Sequence, residues 1–175
     1  MRRAFVIALV LATTARAAAD DDVAPATAHA RSSVTFYLGK LASPGPTVPL
    51  RASVDAALRV HQRRIAFELR LGGGGAGSVV GLGGHATGHA GVSVGGALAL
   101  GGRVVVAPML AYDGYLEWEH RGSSFAVHQL TMMFPISILV TPRAVLEIVV
   151  QGGVARYHGV TDPAIQIGPR LGITL

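Results

Sequence analysis

Cysteine is absent from this chain of 175 residues, and Lys40 is its only lysine. Without cysteine there is no disulfide, so stability has to come from backbone pairing and burial. Charged residues make up 14% of the sequence, well below the roughly 25% of an ordinary soluble domain. Past the N-terminal segment, no apolar run reaches the roughly 18 residues of a transmembrane helix, and no helical apolar period is sustained. The sequence therefore predicts neither a membrane helix nor a long helix of any other kind.

Residues 1–19 have the pattern of a secretory signal peptide. A basic start at residues 1–3 precedes the apolar stretch Ala4–Ala12, and two A-x-A cleavage sites end at Ala17 and Ala19. Removal of this segment lowers the formal charge of +5 by three. Because the remaining arginines are scattered along the chain, the high pI does not indicate a nucleic-acid partner.

Two further segments follow the predicted signal peptide. Residues 20–31 are rich in Asp and Ala, and we expect a flexible N-terminal leader there. From residue 32 to residue 175 apolar and polar residues alternate, which predicts β-strands. The expected eight strands are about Ser32–Leu41, Pro49–Val60, Arg64–Gly72, Gly88–Leu100, Arg103–Glu119, Ser123–Val140, Ala144–His158 and Pro163–Leu175. The second, fourth and sixth connections between these strands are tight, and the third is a long glycine-rich loop at about 73–87. Short connections on one side and longer ones on the other predict an antiparallel up-and-down barrel with both termini on the periplasmic side.

Alternation alone leaves open which face meets the surroundings. In a soluble secreted β-barrel the apolar face points inward, whereas in an outer-membrane barrel it meets lipid. The polar face of this chain is small and sparsely charged, which would make a poor water-facing exterior. Its strands also exceed the soluble mode of about 5 to 6 residues and cover the roughly 9–11 residues of a tilted membrane strand. We therefore predict a transmembrane barrel, with the soluble barrel as the alternative.

The last strand adds a resemblance to a known group. Apolar residues alternate from Ile165 to Leu175, and with the strand rhythm of residues 32–175 this pattern resembles the small eight-stranded outer-membrane β-barrel proteins of Gram-negative bacteria, the OmpA/OmpX-like kind. The resemblance implies a location in the cell outer membrane, contact with outer-membrane lipid, and recognition of the C-terminal strand by the barrel-assembly machinery. The chain departs from that group by ending in Leu175 instead of an aromatic residue, and by having Arg170 where glycine is common.

Charged residues of both signs fall on the face that this architecture turns inward. We expect an interior charge network of Arg51, Asp55, Arg59, Glu68, Arg70, Arg103, Asp113, Glu117, Glu147 and Arg170. Unpaired charges would be costly in a narrow interior, and an eight-stranded barrel is just wide enough for side chains to fill it. The pattern therefore favours a plugged barrel with a structural or surface-interaction role. A small pore or transport barrel is the alternative.

Two histidine-containing patterns could carry chemistry. His85 and His89 have an i, i+4 spacing, but they lie among glycines, and we expect a solvated loop and no metal or other cofactor. A lipid hydrolase would need a clustered Ser, His and acid. Ser124 lies four residues from His128, roughly 13 Å along a strand, which is too far for a nucleophile and its base. We therefore expect no enzymatic activity.

Charge pairing also predicts a register for the second and third strands. A four-residue connection at His61–Arg64 would set Asp55 opposite Arg70 and place Arg59 diagonal to Glu68. A two-residue turn at His61–Gln62 would instead set Asp55 opposite Glu68, and like charges directly across a strand pair are destabilising. We therefore expect the longer connection.

Overall fold

A closed antiparallel β-barrel forms the body of the protein. The computed structural model describes residues 25–43, 50–78, 81–118, 124–157 and 159–175. The helix is α1 Pro25–Arg31, and the strands are β1 Ser32–Ser43, β2 Leu50–Gln62, β3 Ile65–Ser78, β4 Gly81–Gly96, β5 Leu98–Leu100, β6 Val104–Val106, β7 Met109–Trp118, β8 Ser124–Leu139, β9 Ala144–Tyr157 and β10 Val160–Thr174. The sheet runs in the order β5-β6-β8-β7-β4-β3-β2-β1-β10-β9, and an additional β8–β9 pairing closes it.

The ten strands of this sheet make up the eight strands of the barrel wall, because two of the wall strands are each interrupted once. β5 continues β4 beyond Ala97, and β6 leads into β7 across Ala107 and Pro108. The interruptions are bridged by hydrogen bonds from Gly96 N to Pro108 O and from Ala107 N to Pro135 O, each 3.1 Å. The predicted all-β, eight-stranded up-and-down architecture is therefore confirmed. Among the described residues, no helix has the length and apolar character needed to traverse a bilayer.

Side chains alternate between the two sides of the wall, with the large apolar ones outside. On β8, Phe134 and Ile138 are 44% and 40% exposed, whereas Thr131 and Ser137 are 2% and 1% exposed. Every long strand repeats this alternation because successive side chains of a strand point to opposite faces. An exterior so rich in exposed Leu, Ile, Val and Phe suits lipid and not water. The arrangement is the reverse of the soluble barrel considered as the alternative.

The glycine-rich segment differs from the expected loop. Gly73 to Gly77 pair along β3 with the stretch from Gly88 to Gly84 on β4, so the hairpin continues beyond the expected strand ends. A ladder of backbone hydrogen bonds needs no side chains, and glycine therefore did not end the strands here. The prediction of a loop over about 73–87 is wrong for the described part of that range.

A short helix packs at the end of the barrel that carries the tight turns. Proline suits the first turn of a helix, and α1 begins at Pro25. Ala26, His29 and Ala30 form its buried face at helical spacing. The Ala26 amide donates to Gly102 O at 3.3 Å. Residues 25–31 are thus helical where a flexible leader was expected. The predicted signal peptide and residues 20–24 lie outside the described residues.

The register between β2 and β3 also differs from the expected one. Gln62 pairs with Ile65, so the connection is a two-residue turn at Arg63 and Arg64. Arg63 has φ 58°, the left-handed conformation that favours glycine. Arg59 lies directly opposite Glu68, and Asp55 lies opposite Gly72 instead of Arg70. The four-residue connection is therefore wrong, although the structure still brings Arg59 and Glu68 together.

Candidate functional site

The centre of the barrel interior is built around the fully buried guanidinium of Arg59. Its Nε donates to Glu68 Oε2 at 2.8 Å, and its Nη2 donates to Glu147 Oε1 at 3.0 Å. Its Nη1 donates to Tyr37 Oη at 3.2 Å, and the guanidinium lies 4.6 Å from the centre of the Tyr37 ring. One arginine from β2 thus joins carboxylates on β3 and β9, which are separated around the wall by other strands.

Two further arginines extend this cluster across the lumen. Arg170 Nη1 donates to Glu68 Oε1 at 3.0 Å and approaches Glu147 Oε1 at 3.4 Å. Arg70 donates to Glu68 Oε1 at 3.2 Å and binds both carboxylate oxygens of Asp113, at 2.8 and 2.9 Å. The result is one connected chain of charges from Asp113 on β7 to Glu147 on β9. All its ionic groups have at most 1% of their side chains exposed.

Beyond this cluster, toward the end with the longer connections, a second polar layer fills the interior. His89 Nε2 lies 3.0 Å from Asp55 Oδ1, and the His89 ring stacks on Tyr115 with centroids 5.0 Å apart. Gln166 Nε2 donates to Tyr115 Oη at 2.9 Å, which links β7 to β10 across the lumen. Glu117 is also buried at this end. Charged and polar side chains therefore occupy the cross-section at more than one depth.

Inward-facing glycines make room for these large side chains. A Cβ at Gly39 would collide with the side chain and backbone of Arg170, and one at Gly72 would overlap Asp55 and His89. A Cβ at Gly91 would fall on the carboxylate of Asp113. The glycines at these positions thus serve the packing of the network, since no other residue leaves the space empty.

The structure places eight of the ten expected interior charges inside the barrel. The buried residues are Asp55, Arg59, Glu68, Arg70, Asp113, Glu117, Glu147 and Arg170. Arg103 is corrected: it is exposed in the turn between β5 and β6, because strand pairing ends at Leu100 and resumes at Val104. The side chain of Arg51 lies outside the described part. The described interior therefore holds three arginines and five carboxylates, not five of each sign.

Some interior residues were not expected to take part in this network. Tyr37 and Ser137 both contact it, since Ser137 Oγ donates to Glu147 Oε2 at 2.7 Å. His89 was expected in a solvated loop and is instead buried beside Asp55. His89 lies within the predicted strand Gly88–Leu100, and its alternation with the inward residues Gly91 and Ser93 could have placed it inside the barrel.

A third group lies where α1 meets the barrel. Ser33 Oγ donates to His29 O at 2.8 Å, and His61 Nδ1 lies 3.0 Å from the same carbonyl oxygen. The rings of His29 and His61 meet edge to face, with centroids 5.2 Å apart. Burial, together with nearby Arg59, lowers the pKa of His29 to about 4, so this ring is neutral at pH 7. These contacts fix α1 in the barrel mouth.

Among the described residues, those considered for metal binding and for hydrolysis form no cluster of side chains. Within the described ranges, no three His, Asp or Glu side chains lie close enough to hold a metal ion; the side chain of His85 is outside those ranges. His128 is exposed on the lipid face, where its Nδ1 lies 2.7 Å from Tyr112 Oη. Ser123 and Glu119, which are close to His128 in sequence, lie outside the described residues, so the residues considered for hydrolysis are described only in part.

Comparison with known proteins identifies the fold. No family model and no curated protein sequence matches the chain. Among solved structures, Ail, the attachment invasion locus protein of Yersinia pestis, superposes with a TM-score of 0.54 at 10% identity, covering 82% of this chain and 97% of that one. Ail bound to the heparin analogue sucrose octasulfate gives 0.55 at 11% identity, with the same coverage. Neisserial surface protein A gives 0.58 at 10% identity, over 82% of this chain and 96% of that one. The chain thus has the fold of small eight-stranded outer-membrane β-barrels, and its apolar exterior supports the predicted location in an outer membrane.

Proposed function

We propose that this protein is a non-catalytic outer-membrane barrel that acts through its outer end, with its interior filled as a structural plug. The observation that carries this proposal is the charge cluster that crosses the lumen, from Asp113 through Arg70 and Glu68 to Glu147. Side chains that occupy the cross-section would block the passage of solutes through the interior. Interaction with other molecules then falls to the outer connections.

Features of the outer end support a role in surface interaction. The β3–β4 hairpin continues past Leu71 with glycines on both strands. His85 lies on β4 near the tip of this hairpin, and the other connections at this end contain His120, Arg121 and His158 in sequence; the structure describes none of these four side chains. Since the similar Ail structure holds a heparin analogue, a sulfated polysaccharide is the first ligand to test.

The test uses cells that display the protein and measures their retention on immobilised heparin and on neutral dextran. Retention on heparin alone supports the proposal. The matched variant replaces residues 75–86 with Asn-Gly, which keeps the Gly74–Thr87 pair and supplies a favoured two-residue turn. We expect this variant to fold and to lose the retention. Equal retention of wild-type and shortened cells would contradict a role for this hairpin.

A small pore is the second candidate function, and the excess of carboxylates in the described interior is the observation that favours it. A planar-bilayer recording separates the two, since we expect no stepwise current from the purified protein because side chains fill a barrel of this width. Stable single-channel currents would promote the pore over the plug.

The C-terminal strand is proposed to be the part that the barrel-assembly machinery reads. Leu171, Ile173 and Leu175 present exposed apolar side chains along β10. Replacing Leu171 and Ile173 with Ser should slow assembly in cells while leaving refolding of purified protein in detergent intact. An equal loss in both settings would point to a general folding defect instead.

A further inference from the structure

Exposed arginines gather at the end of the barrel that carries the tight turns. Arg31 ends α1, Arg63 and Arg64 form the β2–β3 turn, Arg103 lies in the β5–β6 turn, and Arg143 lies in the β8–β9 turn. All five are exposed, and together they are called the arginine rim below. In outer-membrane barrels the short turns face the periplasm, so the rim lies at the periplasmic boundary of the membrane.

Backbone hydrogen bonds fix the positions from which these side chains project. Arg31 O accepts from the amide of Arg63. The carbonyls of Arg64, Arg103 and Arg143 accept from Ala97, Leu139 and Thr174, at 3.2, 2.8 and 2.8 Å. The main chain of each arginine is therefore held by a hydrogen bond to a neighbouring segment, while its exposed guanidinium can reach outward.

No acidic side chain of the described residues balances the rim. Asp55, Glu68, Asp113, Glu117 and Glu147 are buried in the interior, and Asp162 lies near the β9–β10 connection at the opposite end. The barrel is thus electrically asymmetric, with the positive charge of its described surface concentrated where its wall enters the membrane.

A cleft beside Arg63 shows what such a charge could hold. It encloses about 350 Å³ and is lined by Val60, Gln62, Arg63, Ile65 and Phe67. Gln62 and Arg63 provide polar groups at its turn end, and the other three side chains provide an apolar wall on the lipid face. A phosphate at the arginine with an acyl chain along Ile65 and Phe67 fits this combination, since arginine binds phosphate through its planar fork of donors.

We propose that the arginine rim binds the headgroup phosphates of anionic phospholipids in the periplasmic leaflet, with Arg63 at one defined lipid site. Arginine side chains beside lipid-facing apolar residues can lay their stems along that surface and extend their charges to the headgroups. The aspartates at 20–22 precede α1 in sequence, but one short segment cannot contact Arg31 and the arginines of three separate turns at the same time. Lipid surrounds the barrel and reaches all of them.

Native mass spectrometry tests this proposal on the full chain folded in detergent with equal amounts of phosphatidylglycerol and phosphatidylcholine. We expect the wild type to retain phosphatidylglycerol at least about fivefold more, the ratio that a single arginine contributes near an anionic surface. Changing Arg63, Arg64, Arg103 and Arg143 to Gln, which leaves only Arg31 of the rim, should remove most of the preference. Arg156→Gln, near the opposite end, is the matched control and should keep it.

Four results would overturn the proposal. The first is equal retention of both lipids by the wild type, and the second is an unchanged preference in the quadruple variant. The third is a preference that appears only after the aspartates at 20–22 are changed to Asn, which would make the leader the occupant. Binding of soluble polyglutamate without any lipid preference would likewise assign the rim to a periplasmic polyanion. If the quadruple variant does not fold, Arg63→Gln alone should still lower the preference, with Arg63→Lys restoring it in part.

Discussion

Replacing Arg59 with Met tests whether the interior ion pairs stabilise the barrel. Met keeps much of the length of the side chain but removes the charge and all its donors. Arg59 is fully buried and bonds to Glu68, Glu147 and Tyr37. Its removal leaves two carboxylates in a space that excludes most water, which is costly because a buried charge needs a partner.

The magnitude follows from the contacts that survive. Removing one partner of a buried pair costs about 3–5 kcal/mol. Glu68 still has Arg70 and Arg170 within 3.2 Å, and Glu147 still has Ser137 at 2.7 Å. We therefore expect the lower end, about 3 kcal/mol off the free energy of unfolding. Adding Glu147→Gln should recover at least about 1 kcal/mol, because neighbours in one network couple by roughly 0.5–3 kcal/mol.

Reversible guanidinium unfolding in lipid vesicles measures these values. Trp118 is the only tryptophan and is exposed on the outer wall, so its fluorescence reports insertion. A cycle of wild type, both single variants and the double variant isolates the coupling energy. Arg156→Met, on the outer wall, is the control and should stay within about 0.5 kcal/mol of the wild type. A Met variant as stable as the wild type, or strictly additive effects, would refute a stabilising role for the network.

Three further outcomes are expected. Phe134→Arg should lower folding stability by about 2–4 kcal/mol, because it puts a charge on the lipid face, and the mobility difference between boiled and unboiled samples will show it, with Phe134→Leu as the control. Gly91→Ala should lower the free energy of unfolding by about 1–3 kcal/mol because its Cβ would meet Asp113. Gly114→Ala should not, because its Cβ would lie 3.9 Å from Ala90 O, and equal losses in unfolding experiments would contradict the packing role. The pKa of His29 is 6.5 in the unfolded chain and about 4 in the folded chain. Lowering the pH through this interval should therefore reduce the free energy of unfolding by up to about 3 kcal/mol. Amide exchange in α1, corrected for intrinsic rates, should therefore rise, whereas His29→Gln should weaken this dependence.

The eight wall strands, and the side of the wall that each residue faces, could be predicted from the sequence because a period of two is a direct consequence of strand geometry. Phe134 and Ser137 are three residues apart and so fall on opposite faces, and their exposures agree with that. The same parity placed Arg59, Glu68 and Arg170 inside. The alternation of side chains does not determine the register between neighbouring strands. The sequence therefore left the partners of each charged side chain undetermined.

Local signals failed where backbone conformation departed from residue preference. The β2–β3 turn contains no Gly or Asn, yet Arg63 takes the left-handed conformation those residues favour. The glycines after Leu71 indicated a loop, yet they pair along β4. In both cases the neighbouring strands determine the outcome, since the pairing they supply outweighs the preference of a single residue.

Volume, not charge alone, explains why the observed register differs from the one that charge pairing predicts. The charge argument favoured Asp55 opposite Arg70, whereas the observed register sets Arg59 directly opposite Glu68 and gives Asp55 and Arg70 small neighbours instead. In the structure Asp55 lies between Gly39 and Gly72, and Arg70 lies between Ala57 and Gly91.

Some large inward residues thus have small neighbours on both adjacent strands, whereas Arg59 faces Glu68 and Arg170 faces Glu147 directly. Tyr37 also has small neighbours, Ala57 and Gly172. Small barrels are commonly filled by alternating small and large side chains. Arg59 pairs with Glu68 on the adjacent strand and also extends across the lumen to Glu147, on a strand farther around the wall. Opposite charges on adjacent strands and interior glycines therefore specify the register jointly.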